Sequence, residues 1–279
     1  SYNVAIGYDA GASVSTGVRN TIIGGLAGDA LTTGTRNVAI GFQALSTEDA
    51  HGYNVAIGNG ALAVQNAGAD AHNVAVGYTA GGLITTGIQN TIVGGLAGDA
   101  LTTGTENVVL GYNALSTEDT GSRNVAIGRE SLRNLNFDGS GYNTAVGCDT
   151  GKLMTTATQN TLIGGQAGLN LTTGDNNVAM GFMALNTETL GDRSVAIGNF
   201  ALQNQNNTSD TDVYNVAIGY DAGNDITTGV RNTIIGGLAG DALTTASNNT
   251  ALGYAALGSD VAGDANVAVG FGAMSSTDN

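Results

Sequence analysis

Asn37-Val38-Ala39-Ile40-Gly41-Phe42-Gln43-Ala44-Leu45 is followed, seventeen residues on, by Asn54-Val55-Ala56-Ile57-Gly58-Asn59-Gly60-Ala61-Leu62. The first five residues of this phrase, Asn-(Val/Thr)-x-(Ile/Val/Leu/Met)-Gly, occur sixteen times. Copies start at Asn3, Asn20, Asn37, Asn54, Asn73, Asn90, Asn107, Asn124, Asn143, Asn160, Asn177, Ser194 (serine for asparagine), Asn215, Asn232, Asn249 and Asn266. The spacing is 17 residues except after the fourth, eighth and twelfth copies, where it is 19, 19 and 21. A unit this short cannot close a core alone, so successive units must stack. The pattern predicts an all-β fold, a parallel β-solenoid of 16 coils of about 17 residues. It forms a single continuous domain, 1–279, in four-coil blocks 1–70, 71–140, 141–212 and 213–279. At the inter-strand spacing of ~4.8 Å, sixteen coils give a rod of roughly 70–75 Å.

Counting the Asn as position 0, position 4 is glycine in every copy. Positions 1 and 3 fall on one face of a short strand, which we expect to line the interior. Position 2, usually Ala, is then expected to face outward. Position 7 is Ala in fourteen copies. Position 8 is Gly in the first and second copies of each block and Leu or Met in the third and fourth. The glycine copies recover an apolar anchor at position 11: Val14, Leu31, Ile84, Leu101, Met154, Leu171, Ile226 and Leu243. Second copies carry a large position 2 (Ile22, Ile92, Leu162, Ile234) and glycine at position 5. Elsewhere position 5 is often aromatic: Tyr8, Phe42, Tyr78, Tyr112, Phe182, Tyr220, Tyr254 and Phe271. This column, with the outward Ala column, is the candidate oligomer surface. The Asn column reads as a stacked amide ladder, each side chain bonding to the coils above and below, in preference to a ligand stripe.

Composition narrows the function. The net charge is −15, yet 11% of residues are charged. With no basic patch, the surface repels nucleic acid and anionic membranes. No apolar run approaches the ~20 residues of a membrane span. The absence of proline and of a Gly-x-y period excludes collagen. One cysteine, Cys148, excludes an intrachain disulfide framework; at position 5 it reads as a packed substitute for an aromatic. No signal peptide is visible, so the chain reads as a mature or excised segment.

Chemistry finds little purchase in these repeats. Glu48, Glu118 and Glu188 share position 11 of the third copies, four coils and roughly 19 Å apart, too far to share a calcium ion. We expect them, with Asp29, Asp99 and Asp241, on a solvated acidic face. Thr pairs such as Thr32/Thr33 and Thr102/Thr103 suggest an ice-binding array, but the fourth copies interrupt it. His51 and His72 sit on expected edges, and no pair of carboxylates is singled out for glycosidase work. Five arginines (Arg19, Arg36, Arg123, Arg193, Arg231) immediately precede a copy of the phrase, as do Tyr2, Tyr53, Tyr142 and Tyr214. They read as long side chains covering the coil edge, or as a glycan-contacting stripe. No catalytic residue, cofactor or metal ligand is assigned. The insertions at 66–72, 134–142 and 204–214 are candidate recognition loops, with Asp70, Phe137, Asp138, Asp210 and Asp212 as the residues of interest.

Repeats such as Asn37–Leu45 and Asn54–Leu62 resemble the head of trimeric autotransporter adhesins and the repeat regions of phage tail fibres. The resemblance implies a left-handed β-roll. Coil length differs from the usual adhesin-head repeat, and no stalk, anchor or chaperone domain is present in this segment. The thin core favours a parallel homo-oligomer, three chains first, or axial stacking into a filament. The expected role is an extracellular fibre or adhesin segment at a cell or virion surface, meeting a host-surface or matrix ligand. The alternative is a soluble solenoid that binds ice or glycan.

Overall fold

The computed structural model describes residues 2–259 and 263–275. They form two compact units, Ser1–Tyr142 and Asn143–Asn279. The first unit carries three-residue strands at Val4–Ile6, Thr21–Ile23, Val38–Ile40, Val55–Ile57, Val74–Val76, Thr91–Val93, Val108–Leu110 and Val125–Ile127. The second carries Thr144–Val146, Thr161–Ile163, Val178–Met180, Val195–Ile197, Val216–Ile218, Thr233–Ile235, Thr250–Leu252 and Val267–Val269. Within each unit every strand pairs in parallel with the next copy of itself, and no helix occurs among the described residues. The chain is therefore the parallel β-solenoid that the repeat predicts. Register survives the insertions: Val55 pairs with Val74 and Val195 with Val216, so the extra residues leave the ladder as loops.

Position 4 ends each strand for two reasons. Its φ lies between 126° and 145° in every coil, where side chains are strained. It also stacks on its own image: a Cβ on Gly41 would stand 2.4 Å from the carbonyl oxygen of Gly58.

The faces of the strand are the reverse of the expected ones. Position 2 is buried (Ile22, Ala39, Ala56, Ile92, Val109, Leu162), while positions 1 and 3 are half-exposed to exposed. Positions 0 and 2 share a face by the two-residue period, and the Asn at position 0 lies inside at 0–1% exposure in most coils. The strand's inner face is thus Asn plus a small residue, and the outer face is Val or Thr followed by Ile, Val, Leu or Met.

The shifting anchor is as expected. Leu45, Leu62, Leu115, Leu132, Leu185, Leu202 and Leu257 at position 8 are fully buried, and so are Leu31, Ile84, Leu101, Met154, Leu171, Ile226 and Leu243 at position 11. The two positions compete for one space. A Cβ on Gly28 would stand 2.9 Å from Leu31 Cδ1, and one on Gly98 3.0 Å from Leu101 Cδ1. The bulky position 2 of second coils fills the same region: Ile22 Cδ1 lies 3.5 Å from the Cβ that Gly28 lacks. Glycine at position 5 serves a separate purpose on the outside, where Gly25 and Gly165 lie beneath the rings of Phe42 and Phe182.

Each coil turns through left-handed backbone at positions 6, 8 and 16, with residues such as Gln43, Leu45 and Tyr53 at φ 55°, 51° and 64°. Such residues cost roughly 1–2 kcal/mol each when not glycine. The inward position of Leu at position 8 offsets this, because burial of a Leu contributes about 1.5–3 kcal/mol.

Gly41→Ala tests the close stacking. It should lower stability by about 3 kcal/mol or more, through strained φ and backbone clash together. Urea unfolding is the measurement; a loss below about 1 kcal/mol would show that the stack can relax.

Candidate functional site

The interior is polar in a regular way. Each Asn side chain spans two backbone groups of the following turn. Asn3 Nδ2 donates to the Gly17 carbonyl at 2.8 Å, and Asn3 Oδ1 accepts the Asn20 N–H at 2.9 Å. Asn20, Asn37, Asn73, Asn90 and Asn107 repeat both bonds in the first unit, and Asn143, Asn160, Asn177 and Asn232 in the second. The expected amide ladder is thus chiefly a side-chain-to-backbone clamp. Amide-to-amide bonds, such as Asn90 Nδ2 to Asn73 Oδ1 at 3.3 Å, are secondary.

The insertions disturb the clamp, and a second device replaces it. Asn54 Nδ2 is buried and lacks an acceptor. Ser194, in the twelfth coil, has no amide at all; its Oγ accepts from Gln205 Nε2 at 2.9 Å. Glu48, Glu118 and Glu188 supply the replacement. They are 0% exposed, which corrects the expectation of a solvated face. They stand at position 11, where the glycine coils place Leu31 and Leu101. Their carboxylates accept backbone N–H groups instead of packing against apolar neighbours. Glu118 takes Gly121 N–H at 2.7 Å and, from the following insertion, Phe137 N–H at 3.1 Å. Glu188 takes Gly191 N–H at 2.8 Å, Asn207 N–H at 3.1 Å and Gln205 Nε2 at 2.8 Å. Glu118 and Glu188 thus anchor the start of the loops that follow them, whereas Glu48 accepts the His51 N–H at 3.0 Å and leaves its Oε2 buried without a partner.

The loop residues expected to meet a partner are partly committed to the same task. Asp70 Oδ1 accepts Gly52 N–H at 2.9 Å, and Asp138 Oδ1 accepts the Thr120 hydroxyl at 2.6 Å. Asp212 pairs with Arg193 and belongs to a two-residue strand, Thr211–Asp212, laid beside Gly191–Asp192. Asp210 faces Asp192, whose carboxyl is pushed up by burial and then by its acidic neighbours Asp210 and Asp175. Phe137 enters through its backbone N–H.

The exterior carries two ordered columns. Positions 1, 3 and 5 form an apolar face within each unit: Leu110 is 45% exposed, Tyr112 54%, Tyr220 56% and Leu252 45%. All eight aromatics named for position 5 are exposed, and Phe182–Phe200 and Tyr254–Phe271 pair at 5.6 and 5.4 Å between centroids. Cys148, at the same position, is exposed and not packed. Position 16 forms the other column, with guanidinium groups over rings: Arg36 on Tyr53, Arg123 on Tyr142 and Arg193 on Tyr214, at 5.1–5.9 Å. His72 stacks on Tyr53 at 4.9 Å. The arginines and tyrosines therefore cover one another, which favours the edge-covering role.

Glu48, Asp49 and His51 bring carboxylate and imidazole atoms within 4.8 Å of one another. His51 Nδ1 lies 3.3 Å from Glu48 Oε1, which also accepts the His51 N–H at 3.0 Å. Glu118 and Glu188 hold the same corner with no histidine beside them, so the arrangement serves the turn. The threonine array is likewise committed: Thr32, Thr85, Thr102, Thr155, Thr172 and Thr227 donate their hydroxyls to carbonyls of the next coil.

No family model matches the chain, and neither the curated proteins nor the solved structures contain a match to it.

Two predictions follow from the buried polar groups. Asn107→Ala strands the Asn124 N–H and the Gly121 carbonyl and should cost about 2–4 kcal/mol; equal stability by urea unfolding would show the clamp to be dispensable. Burial is the leading cause that raises the carboxyls of Asp99, Glu118, Asp192 and Asp241. In the window above the ordinary carboxylate range the folded chain holds more protons than the unfolded one, so stability falls as pH rises. The thermal midpoint should be higher near pH ~5 than near pH ~8, and its slope with pH shallower in Glu118→Gln. A midpoint that drops on acidification across that range contradicts this.

Proposed function

We propose that the chain is a structural, adhesive fibre segment, displayed outside the cell or on a virion, that assembles with copies of itself. The observation that carries this reading is the outer strand face. A face of Val or Thr, then Ile, Val, Leu or Met, with an aromatic beside it in eight of the sixteen coils, recurs through both units and ranges from half-buried (Val38, Ile40, Val55, Ile57) to exposed (Val108, Leu110, Leu252, Val267). Monomeric proteins seldom leave so large an apolar surface in water. The identical register of every strand makes the face a regular grid, which suits packing against the same grid on another copy.

The expected oligomer surface changes accordingly. The outward Ala column belongs to the interior, and the position-5 aromatics flank Val and Ile instead. A parallel trimer about these faces remains the arrangement we favour, with axial stacking as the second mode of growth. The chain's own resources fit a passive role: its ordered polar groups are spent on holding coils together. The ice-binding alternative is weakened by the threonine hydroxyls, since those at position 12 already donate to the backbone. No helix of the described residues is long and apolar enough to cross a membrane.

Sedimentation equilibrium tests the reading. The wild-type chain should be trimeric or larger at about ten micromolar, a concentration at which interfaces of standard size hold. Leu110→Lys with Tyr112→Lys should shift it to smaller species with the far-ultraviolet circular dichroism unchanged. A monomeric wild type, or assembly that ignores both substitutions, would count against self-association by this face.

A further inference from the structure

A groove of about 480 Å³ opens beside the aromatic column in the first unit. It runs over positions 5, 6, 9 and 10 of the fourth and fifth coils and is bounded by Gln43 of the third coil and Leu96 and Asp99 of the sixth. Its volume is within the roughly 300–1,000 Å³ of small-ligand sites. Tyr78 and Leu83 wall it, 60% and 54% exposed. Its floor contains Gly60 and Gly82, and Gln43, Asn59 and Thr79 offer amide and hydroxyl groups.

Thr79 sets this groove apart. Its φ is 49°, and among the described residues it is the one β-branched side chain held at positive φ. Left-handed backbone is a true outlier for a β-branched residue and costs on the order of 1–3 kcal/mol. The other coils use Asp, Leu, Gln, Asn, Glu, Met, Phe, Ala or Gly at position 6, so threonine is not demanded by the turn. Its hydroxyl oxygen is buried and makes no hydrogen bond. Asp99 also lines the groove with a buried, unpartnered Oδ1, though Asp29 and Asp241 show the same at their equivalent positions.

The openness has a sequence cause. Position 9 is Gly82 here, but Lys152 in the ninth coil and Asn224 in the thirteenth. Lys152 Nζ reaches back to Asp149 at 3.4 Å, and Asn224 Nδ2 to Asp221 at 3.1 Å. At the second of these positions the surviving pocket is small and acidic, lined by Asp221, Asp225 and Asp241. The groove at Thr79 is the same corner of the coil with that side chain removed.

We propose that this groove binds a neutral, hydroxylated ligand, a hexose or short oligosaccharide. An exposed tyrosine ring offers an apolar face for a sugar ring, the amides of Gln43 and Asn59 suit its ring hydroxyls, and the buried Thr79 hydroxyl joins them when its side chain turns toward the ligand. No Lys, Arg or His lines the groove and Asp99 does, so sialylated, sulfated or phosphorylated ligands are disfavoured. The site goes beyond the fibre reading; it shares Tyr78 at position 5 with the proposed oligomer face, while Thr79 and Gly82, the residues varied below, lie outside positions 1, 3 and 5.

The probes are neutral trisaccharides of glucose, galactose and mannose, with sialylated and sulfated trisaccharides as contrast, read by saturation-transfer NMR and calorimetry on the full chain. At least one neutral probe should bind and the acidic ones should not. Thr79→Gly should keep or raise the thermal midpoint, since it relieves the strained backbone, and weaken binding about tenfold or more. Gly82→Asn, which copies Asn224, should abolish binding. Sedimentation should be unchanged in both variants. Absence of binding by every neutral probe, equal binding of acidic ones, or full binding by Gly82→Asn would overturn the proposal. Loss of the fibre reading would show instead as a monomeric wild type that still binds sugar.

Discussion

The two-point grip of an asparagine side chain on the next coil is the constraint from which the rest of this fold follows. One amide satisfies a carbonyl and an N–H three residues apart, at a corner where the strand cannot. It places a polar group at the centre of the coil, so the interior must be built around it. Position 2 shares the Asn face and is held small in most coils. What remains of the cross-section holds, in most coils, one large apolar side chain at position 8 or at position 11. In the glycine coils a position-8 side chain would collide with the position-11 anchor, as the 2.9 Å approach of Leu31 to the missing Cβ of Gly28 shows; the eighth coil alone among the described coils buries a leucine at both, Leu132 and Leu135. The aliphatic residues that would have lined a wider core are left on the outside.

The insertions show what happens when the grip fails. Extra residues after coils four, eight and twelve carry the carbonyl partner away from its Asn. The coil beneath compensates by replacing its position-11 anchor with glutamate or, one coil later, with glutamine (Gln65, Gln205) or leucine (Leu135). A buried carboxylate that collects several N–H groups, as Glu188 does, tolerates desolvation far better than an isolated one. Ser194 fits this account. In a coil whose clamp is already broken, a full amide is no longer required, and Gln205 occupies the freed room. The acids that look like surface charge are the hinges on which the loops hang.

Much of this was legible in the sequence, and the errors share a cause. Stacking, parallel pairing, the role of position 4 and the alternation of anchors could all be read from spacing. The inward face could not be read from Val-Ala-Ile, because both faces of that strand are apolar and the period of two is indifferent to which is inside. The deciding signal was the neighbour: an Asn fixed in nearly every coil is tied to stacking, and parity then puts position 2 inside with it. Glu48 carried a similar clue, since its position is the one Leu31 and Leu101 use as anchors. Charge was weighed there ahead of register. The groove at Thr79 had no such signal, because a threonine in a threonine-rich chain is unremarkable until its φ is known.

A repeat of this kind divides its residues into those that every coil must keep and those that any coil can change. Positions 0, 2, 4 and 7 face the interior or stack on their images, and a change in one coil is felt in the next. Positions 6, 9 and 10 carry more varied residues, while position 5 is coupled where Gly25 and Gly165 lie beneath the rings of the next coil. The corner at position 9 carries alanine, glycine, lysine and asparagine in the first, fifth, ninth and thirteenth coils (Ala12, Gly82, Lys152, Asn224) on an unchanged backbone. It is therefore closed by a salt bridge in one coil, by an amide in another, and left open in a third. The fold needs nothing from this corner, so the strain at Thr79 is not a cost of stacking. Any selective use of the surface would act at such positions, where side chains vary while the coil that presents them cannot.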